Sequence, residues 1–151
     1  ILALKNDINT NEEILMLMAA RSNHINNIIK PALKKGKLVI CDRFADSTFV
    51  YQGYVNKYGL KKTINLHKIL LDNFMPDITF LFILPPSEIN KRLKNRKKTN
   101  KYDKINSSFH KKVIEGYEKI SKNNKRFIVI DGLENVNIIH EKIVNLLKNF
   151  I

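Results

Sequence analysis

Between Asp42 and Gly53 the chain sets Asp42, Arg43, Ser47, Thr48, Tyr51 and Gln52 directly behind a short apolar run, Lys37-Leu-Val-Ile-Cys41. An acid at the end of a buried strand can hold Mg²⁺ directly or through water. The adjacent arginine offers a planar, permanently charged fork to a phosphate. Ser47 is placed to cap a following helix, and Thr48, Tyr51 and Gln52, three and four residues apart, can share one face turned toward a ligand. Taken alone, Asp42-Arg43 reads as readily as a turn cap with its own surface partner. With the polar residues behind it, the stretch suggests phosphate and metal binding.

A second candidate is electrostatic. The chain of 151 residues carries 27 Lys and Arg against 14 Asp and Glu, a net charge of +13. Lysine outnumbers arginine 22 to 5, and 19 Asn and 21 Ile accompany it. These three residue types share A/T-rich codons, so much of the lysine reflects base composition rather than a partner. The exception is 91–104, where Lys91, Arg92, Lys94, Arg96, Lys97, Lys98, Lys101 and Lys104 face only Asp103, a local net of +7. Such a run is a solvated face or an anion-binding element.

These residues need elements to position them. Apolar positions Ile14, Leu15, Leu17, Met18, Ile25, Ile28 and Ile29 predict a helix over 11–35, capped by Thr10 or Asn11, with Pro31 kinking or restarting it. Lys37 to Cys41 reads as a buried strand. Ser47 to Tyr54 opens a helix, and Lys61 to Asn73 forms another with Ile64, Leu66, Ile69, Leu70 and Phe74 inside. Ile78 to Leu84 is apolar on both parities, as a central parallel strand covered on both faces would be. Ser87 caps a helix over 88–98, a further helix covers Phe109 to Ser121, and Arg126 to Asp131 is a third buried strand. A final helix, Val136 to Phe150, buries Ile138, Ile139, Ile143, Leu146, Leu147 and Phe150. Alternating strands and helices define an α/β fold with a mostly parallel sheet, in a single domain over 1–151. Such sheets bind ligands outside the carboxyl ends of their strands, here Asp42-Arg43, Pro85-Pro86 and Asp131-Gly132.

Asp42-Arg43-Phe44, Ser47 and Tyr51-Gln52-Gly53 together resemble the Asp-Arg-Tyr/Phe…Ser…Tyr-Gln-Gly signature of bacterial thymidylate kinases. The resemblance extends along the chain. Glu13 to Arg21 resembles the helix that carries Ala-Ala-Arg into the monophosphate site, and Ile29-Lys-Pro-Ala-Leu33 the run toward the third strand. Pro76-Asp77-Ile-Thr79 resembles the entry to the fourth strand. Arg92-Leu-Lys-Asn-Arg96 and Phe109…Gly116-Tyr117 bracket a LID at about 91–108.

The resemblance implies the three-layer sandwich of P-loop NTPases of the nucleoside monophosphate kinase type. It also implies transfer of the γ-phosphoryl group of ATP to the 5′-phosphate of dTMP, with Mg²⁺, by a cytoplasmic homodimer that uses no membrane and no specific nucleic acid. On that basis Arg21 and Arg43 hold the dTMP phosphate, and Asp42 organises phosphates and metal. Thr48 and Gln52 line the thymidine site beside Ser47, and Tyr51 lies against the deoxyribose. Arg92, Arg96 and Lys101 close over the transferring group, the arrangement of family members whose catalytic cations come from the LID.

Three features depart from the family pattern. Leu17 stands where a Phe usually stacks on thymine. Asn100-Lys101-Tyr102-Asp103 replaces Asp-Arg-x-Glu, so a point-charge lysine replaces a fork. The Gly-rich loop that cradles ATP phosphates has no match, since the one Gly-Lys, Gly36-Lys37, is followed by Leu38. The chain also starts without Met and therefore reads as the carboxy-terminal three-quarters of a kinase. A βαβ unit of roughly 30 or more residues would precede Ile1. As it stands, the polypeptide is expected to lack useful kinase activity.

Other chemistries find less support. His24, His67, His110 and His140 are scattered and expected at surface or half-buried positions, and Val144 stands where a zinc-protease motif after His140-Glu141 needs His. Cys41 is expected as a small core residue, and its being the only cysteine fits a reducing cytoplasm. Paired carboxylates suited to glycosidase chemistry are absent. The rivals are another nucleoside monophosphate or deoxynucleoside kinase, and a non-enzymatic nucleic-acid binder using the +7 run, in which Tyr102 is the one aromatic.

Overall fold

The computed structural model describes residues 8–94 and 107–148. Helix α1 (Thr10–His24) opens with a capping box one residue ahead of expectation. Asn9 Oδ1 accepts from the Glu12 amide at 3.1 Å, and Glu12 Oε2 accepts from the Asn9 amide at 2.8 Å. A π-helical turn (Ile25–Ile29) then joins α1 to α2 (Lys30–Lys34) without a break. Pro31, lacking an N–H and crowding the carbonyl four residues back, was expected to kink the helix. The widened turn, with the Lys30 amide reaching Ile25 O, absorbs both problems just ahead of it. The buried stripe of this helix is narrower than its apolar content. Ile14, Met18, Ile25 and Ile29 join Leu71 in the core, while Leu15 and Ile28 are exposed.

Lys37 to Cys41, expected as a buried strand, is irregular, and Ile40 is 85% exposed. Apolarity alone does not make a strand; a ladder needs a neighbour, and none pairs with this segment among the described residues. The sheet described has two parallel strands, β1 (Thr79–Ile83) and β2 (Phe127–Asp131), in register from Thr79↔Phe127 to Ile83↔Asp131. Phe82 and Val129 are exposed, so neither strand is covered on both faces as expected. The crossover between them carries α5 (Pro86–Lys94) and α6 (Ser107–Ser121), as parallel pairing requires. Helix α5 begins at Pro86, whose fixed φ suits the first helical position, so Ser87 sits inside the first turn rather than capping it.

Helix α3 (Ala45–Thr48) passes into a second π-helical turn (Phe49–Val55), and Ser47 again lies inside rather than at the cap. That turn is gripped by α4 (Leu60–Leu71) on one side and α6 on the other. A Cβ on Gly53 would lie 2.7 Å from Thr63 Oγ1, and one on Gly116 would lie 2.8 Å from Val50 Cγ1. Both glycines thus permit backbone approaches that any side chain would obstruct. The inner column of α4 is Thr63, His67 and Leu71, one step round from the expected face, and Ile69 and Leu70 are exposed. Helix α7 (Val136–Leu147), capped by Asn135, packs shallowly; Ile139, Ile143, Leu146 and Leu147 are half-buried, Ile138 is exposed and Phe150 lies outside the described residues.

Candidate functional site

The turn Asp42-Arg43-Phe44 leads from the irregular segment into α3. Arg43 has φ +63°, a left-handed conformation that a residue with a Cβ adopts at roughly 1–2 kcal/mol. Its guanidinium is exposed yet held twice. Nε donates to Ser47 Oγ at 3.2 Å, and the group lies 4.6 Å from the centre of the Tyr51 ring. Among the described residues no hydrogen bond takes its two terminal nitrogens, which leaves them free to meet an oxyanion. Asp42 beside it is exposed.

Arg21 differs from Arg43. It is 9% exposed, donates to Thr48 Oγ1 at 2.6 Å and to Phe44 O at 3.4 Å, and packs against the Phe44 ring. Burial lowers its pKa to about 10, against the attraction of Cys41 and Asp46. Gln52 Nε2 donates to Glu13 Oε2 at 2.9 Å, and both residues are buried. Thr48 and Gln52, expected on a ligand-facing surface, therefore point inward to partners on α1. Leu17 is half-buried on the same helix.

The fold brings further residues to this region. Asp46 is buried and forms a fork with Arg126 from just before β2. Nη2 reaches Oδ1 at 2.7 Å, Nη1 reaches Oδ2 at 2.8 Å, and Nη1 also donates to Thr79 Oγ1. Tyr117 of α6 shares a 3.0 Å hydrogen bond with Ser47 Oγ. His67 is fully buried, contrary to the expectation for the histidines, with its ring edge-on to Phe44 and Phe49.

His67 Nε2 lies 2.9 Å from Phe74 O, an acceptor only, so that nitrogen carries the proton; Nδ1 is buried without a partner. Burial pushes its pKa below the ordinary 6.5, with the Phe74 bond and Asp46 opposing and Arg21 assisting. A base whose folded pKa is depressed stabilises the fold fully above its unfolded pKa and loses that contribution as pH falls below it. Between pH 8 and 5 the unfolding free energy should therefore fall once the pH drops below about 6.5, by up to about 1.4 kcal/mol per pH unit. His67→Leu should flatten the drop. Parallel curves for the two proteins would show that His67 is not its source.

At the carboxyl end of β2, Arg92 donates to Gly132 O at 3.2 Å and pairs with Glu88 at 2.8 Å. This puts Arg92 at the sheet end where ligands were expected. Arg96, Lys101 and most of the expected LID lie outside the described residues. Cys41, expected in the core, is exposed, because the segment carrying it joins no sheet. Among the described residues no three His, Cys, Asp or Glu side chains cluster to hold a metal, and no helix is long and apolar enough to cross a membrane. Mg²⁺ commonly uses one or two carboxylates with substrate phosphates and water, so a single exposed Asp42 fits that donor set.

A family model described as thymidylate kinase matches residues 1–143. The thymidylate kinase of Orientia tsutsugamushi (strain Ikeda) is 36% identical over 155 residues, covering 98% of this chain and 71% of that protein. That of Wolbachia pipientis wMel is 39% identical over 145 residues, covering 94% of this chain and 72% of its own. The crystal structure of thymidylate kinase from Ehrlichia chaffeensis superposes with a TM-score of 0.70 at 29% identity, over 95% of this chain and 67% of that one.

Proposed function

The chain belongs to the thymidylate kinase family, and we propose on that footing how its residues serve the transfer of the γ-phosphoryl group of ATP to the 5′-phosphate of dTMP. The fold is the α/β fold of P-loop NTPases. An oxygen of the dTMP phosphate forms the new bond to γ-phosphorus as the bond to the β,γ-bridging oxygen breaks, giving dTDP and ADP. Such transfers depend on positioning and on cations that meet the charge on the phosphoryl oxygens.

The observation that carries the assignment is Arg43, exposed, fixed through Nε and its face, with no hydrogen bond to its terminal nitrogens among the described residues. It binds the dTMP phosphate. Arg21, buried against Thr48, is less available to a phosphate; it braces Thr48, and with Gln52 and Leu17 that residue shapes the nucleoside side. Ser47 and Tyr51 hold Arg43, and Tyr51 also borders the deoxyribose. Asp42 holds Mg²⁺ directly or through water; the ion, when bound, neutralises charge on the phosphates. Arg92, Arg96 and Lys101 supply cations to the transferring group. A homodimer and a cytoplasmic setting belong to the same reading, resting on membership of the family.

The test is ATP-dependent conversion of dTMP to dTDP by the chain joined to a Gly-rich phosphate-loop segment ahead of Ile1, beside the thermal stabilisation given to the chain itself by dTMP, dUMP, dCMP and thymidine. A ligand at 100 times its Kd adds about 2.7 kcal/mol. dTMP should rank first; precedence of dCMP or thymidine would transfer the assignment to another kinase. Tight single-stranded DNA binding with a steep salt dependence would instead favour the nucleic-acid reading.

A further inference from the structure

An exposed arginine loses about 2 kcal/mol of side-chain freedom when its fork is held in one place. Arg43 has part of that freedom removed in advance by Ser47 and Tyr51. A serine hydroxyl, however, is itself a rotor. Here its oxygen accepts from Arg43 Nε and shares its remaining hydrogen-bonding capacity with the Tyr117 hydroxyl at 3.0 Å. Tyr117 lies 70 residues away on α6, so the anchor of Arg43 is fixed by a separate element.

Helix α6 cannot easily recede from this contact. Gly116, the neighbour of Tyr117, packs against Val50 and Tyr54 at a distance no Cβ would allow. The same helix also buttresses the second anchor, because Phe109 meets the Tyr51 ring edge-on with centroids 5.9 Å apart. Burial pushes the Tyr117 pKa up, with the Ser47 bond opposing, so the group remains an uncharged hydroxyl. It can orient Ser47 without competing with a phosphate for Arg43.

We infer that Tyr117 is a positioning residue for the substrate phosphate, acting through Ser47 to hold the Nη edge of Arg43 without touching the substrate. The inference rests on the reading of Arg43 as the phosphate ligand. It predicts a discrimination that a merely structural tyrosine would not produce. Removing the hydroxyl should weaken a ligand that carries the 5′-phosphate and spare the nucleoside that lacks it.

The experiment is calorimetric titration of dTMP and of thymidine into the protein, Tyr117→Phe, Ser47→Ala and the double variant. Tyr117→Phe keeps the ring, and a melting temperature close to that of the parent checks its fold. The expected result is a loss of about 5- to 10-fold in dTMP affinity, the scale of one hydrogen bond. Thymidine affinity should change less than about twofold, and the double variant should be little worse than Ser47→Ala, since the two act in series. Unchanged dTMP affinity, equal losses for both ligands, or additive losses in the double variant would overturn the inference. If the parent itself binds dTMP no better than thymidine, the phosphate reading of Arg43 falls and the inference falls with it.

Discussion

Replacing Asp46 by alanine should lower stability by about 3 kcal/mol. The side chains of Asp46 and Arg126 are 9% and 14% exposed, and two parallel hydrogen bonds of 2.7 and 2.8 Å join them. Such a fork gains little over a well-packed apolar pair, because both ions were desolvated to make it. Breaking it is another matter. Without the carboxylate, the mostly buried Arg126 guanidinium keeps only the Thr79 hydroxyl and the face of the Phe127 ring among the described side chains, and an uncompensated charge bears the whole desolvation penalty. The pair also links α3, which follows the Asp-Arg-Phe turn, to the start of both strands, where the Thr79 amide donates to Arg126 O. Melting should fall by on the order of 10 °C. Asp46→Leu with Arg126→Met should lose clearly less than Asp46→Ala, because that pair orphans no charge. A loss below about 1 kcal/mol on urea denaturation would show the fork to be dispensable.

What could be read in advance follows the distance over which each interaction acts. The run from Asp42 to Gly53 is contiguous, so its candidate residues were visible as a set, and Arg21 entered through the resemblance of Glu13 to Arg21 to the family's Ala-Ala-Arg helix. The Asp46–Arg126 fork spans 80 residues and the Ser47–Tyr117 bond spans 70; Ser47 and Tyr117 stood in recognisable stretches, but nothing in either residue's own segment names its partner. Helix α4 shows a different failure. Its apolar residues favoured a face through Ile64, Leu66, Ile69 and Leu70, yet the buried column holds Thr63 and His67. Thr63 turns its hydroxyl onto Gly59 O, while His67 has the Phe74 carbonyl for its proton and two aromatic rings for its edges. Polar groups that find partners can go inside, as Thr63 does and as His67 does at Nε2 though not at Nδ1, and periodicity cannot see those partners. Lys37 to Cys41 failed for the complementary reason: its residues suit a strand, but pairing is a property of two segments. The π-helical turns had no signal beyond Pro31, since no residue type marks them.

In the kinase completed with a Gly-rich phosphate loop ahead of Ile1, replacing Arg43 by alanine should raise the dTMP KM by about 100-fold and lower kcat by about 10-fold, with the ATP KM changed less than threefold. A charge-assisted hydrogen bond contributes about 1.5–3 kcal/mol, so loss of a two-pronged contact to phosphate accounts for the first figure. The second follows because the bound phosphate is also the nucleophile; an unclamped phosphate spends less time in line with the γ-phosphorus. Arg43→Lys should fall between, restoring charge but not the fork. Stability separates binding from backbone. Alanine retains the strain of a left-handed residue, whereas glycine relieves about 1 kcal/mol of it. Arg43→Gly should therefore be more stable than Arg43→Ala and no more active. Strain that is held at one residue and relieved only by losing the phosphate ligand would tie the conformation of Arg43 to its role. A normal dTMP KM in Arg43→Ala would place the phosphate elsewhere, and Arg21 would become the residue to test, through a contact that first has to displace Thr48.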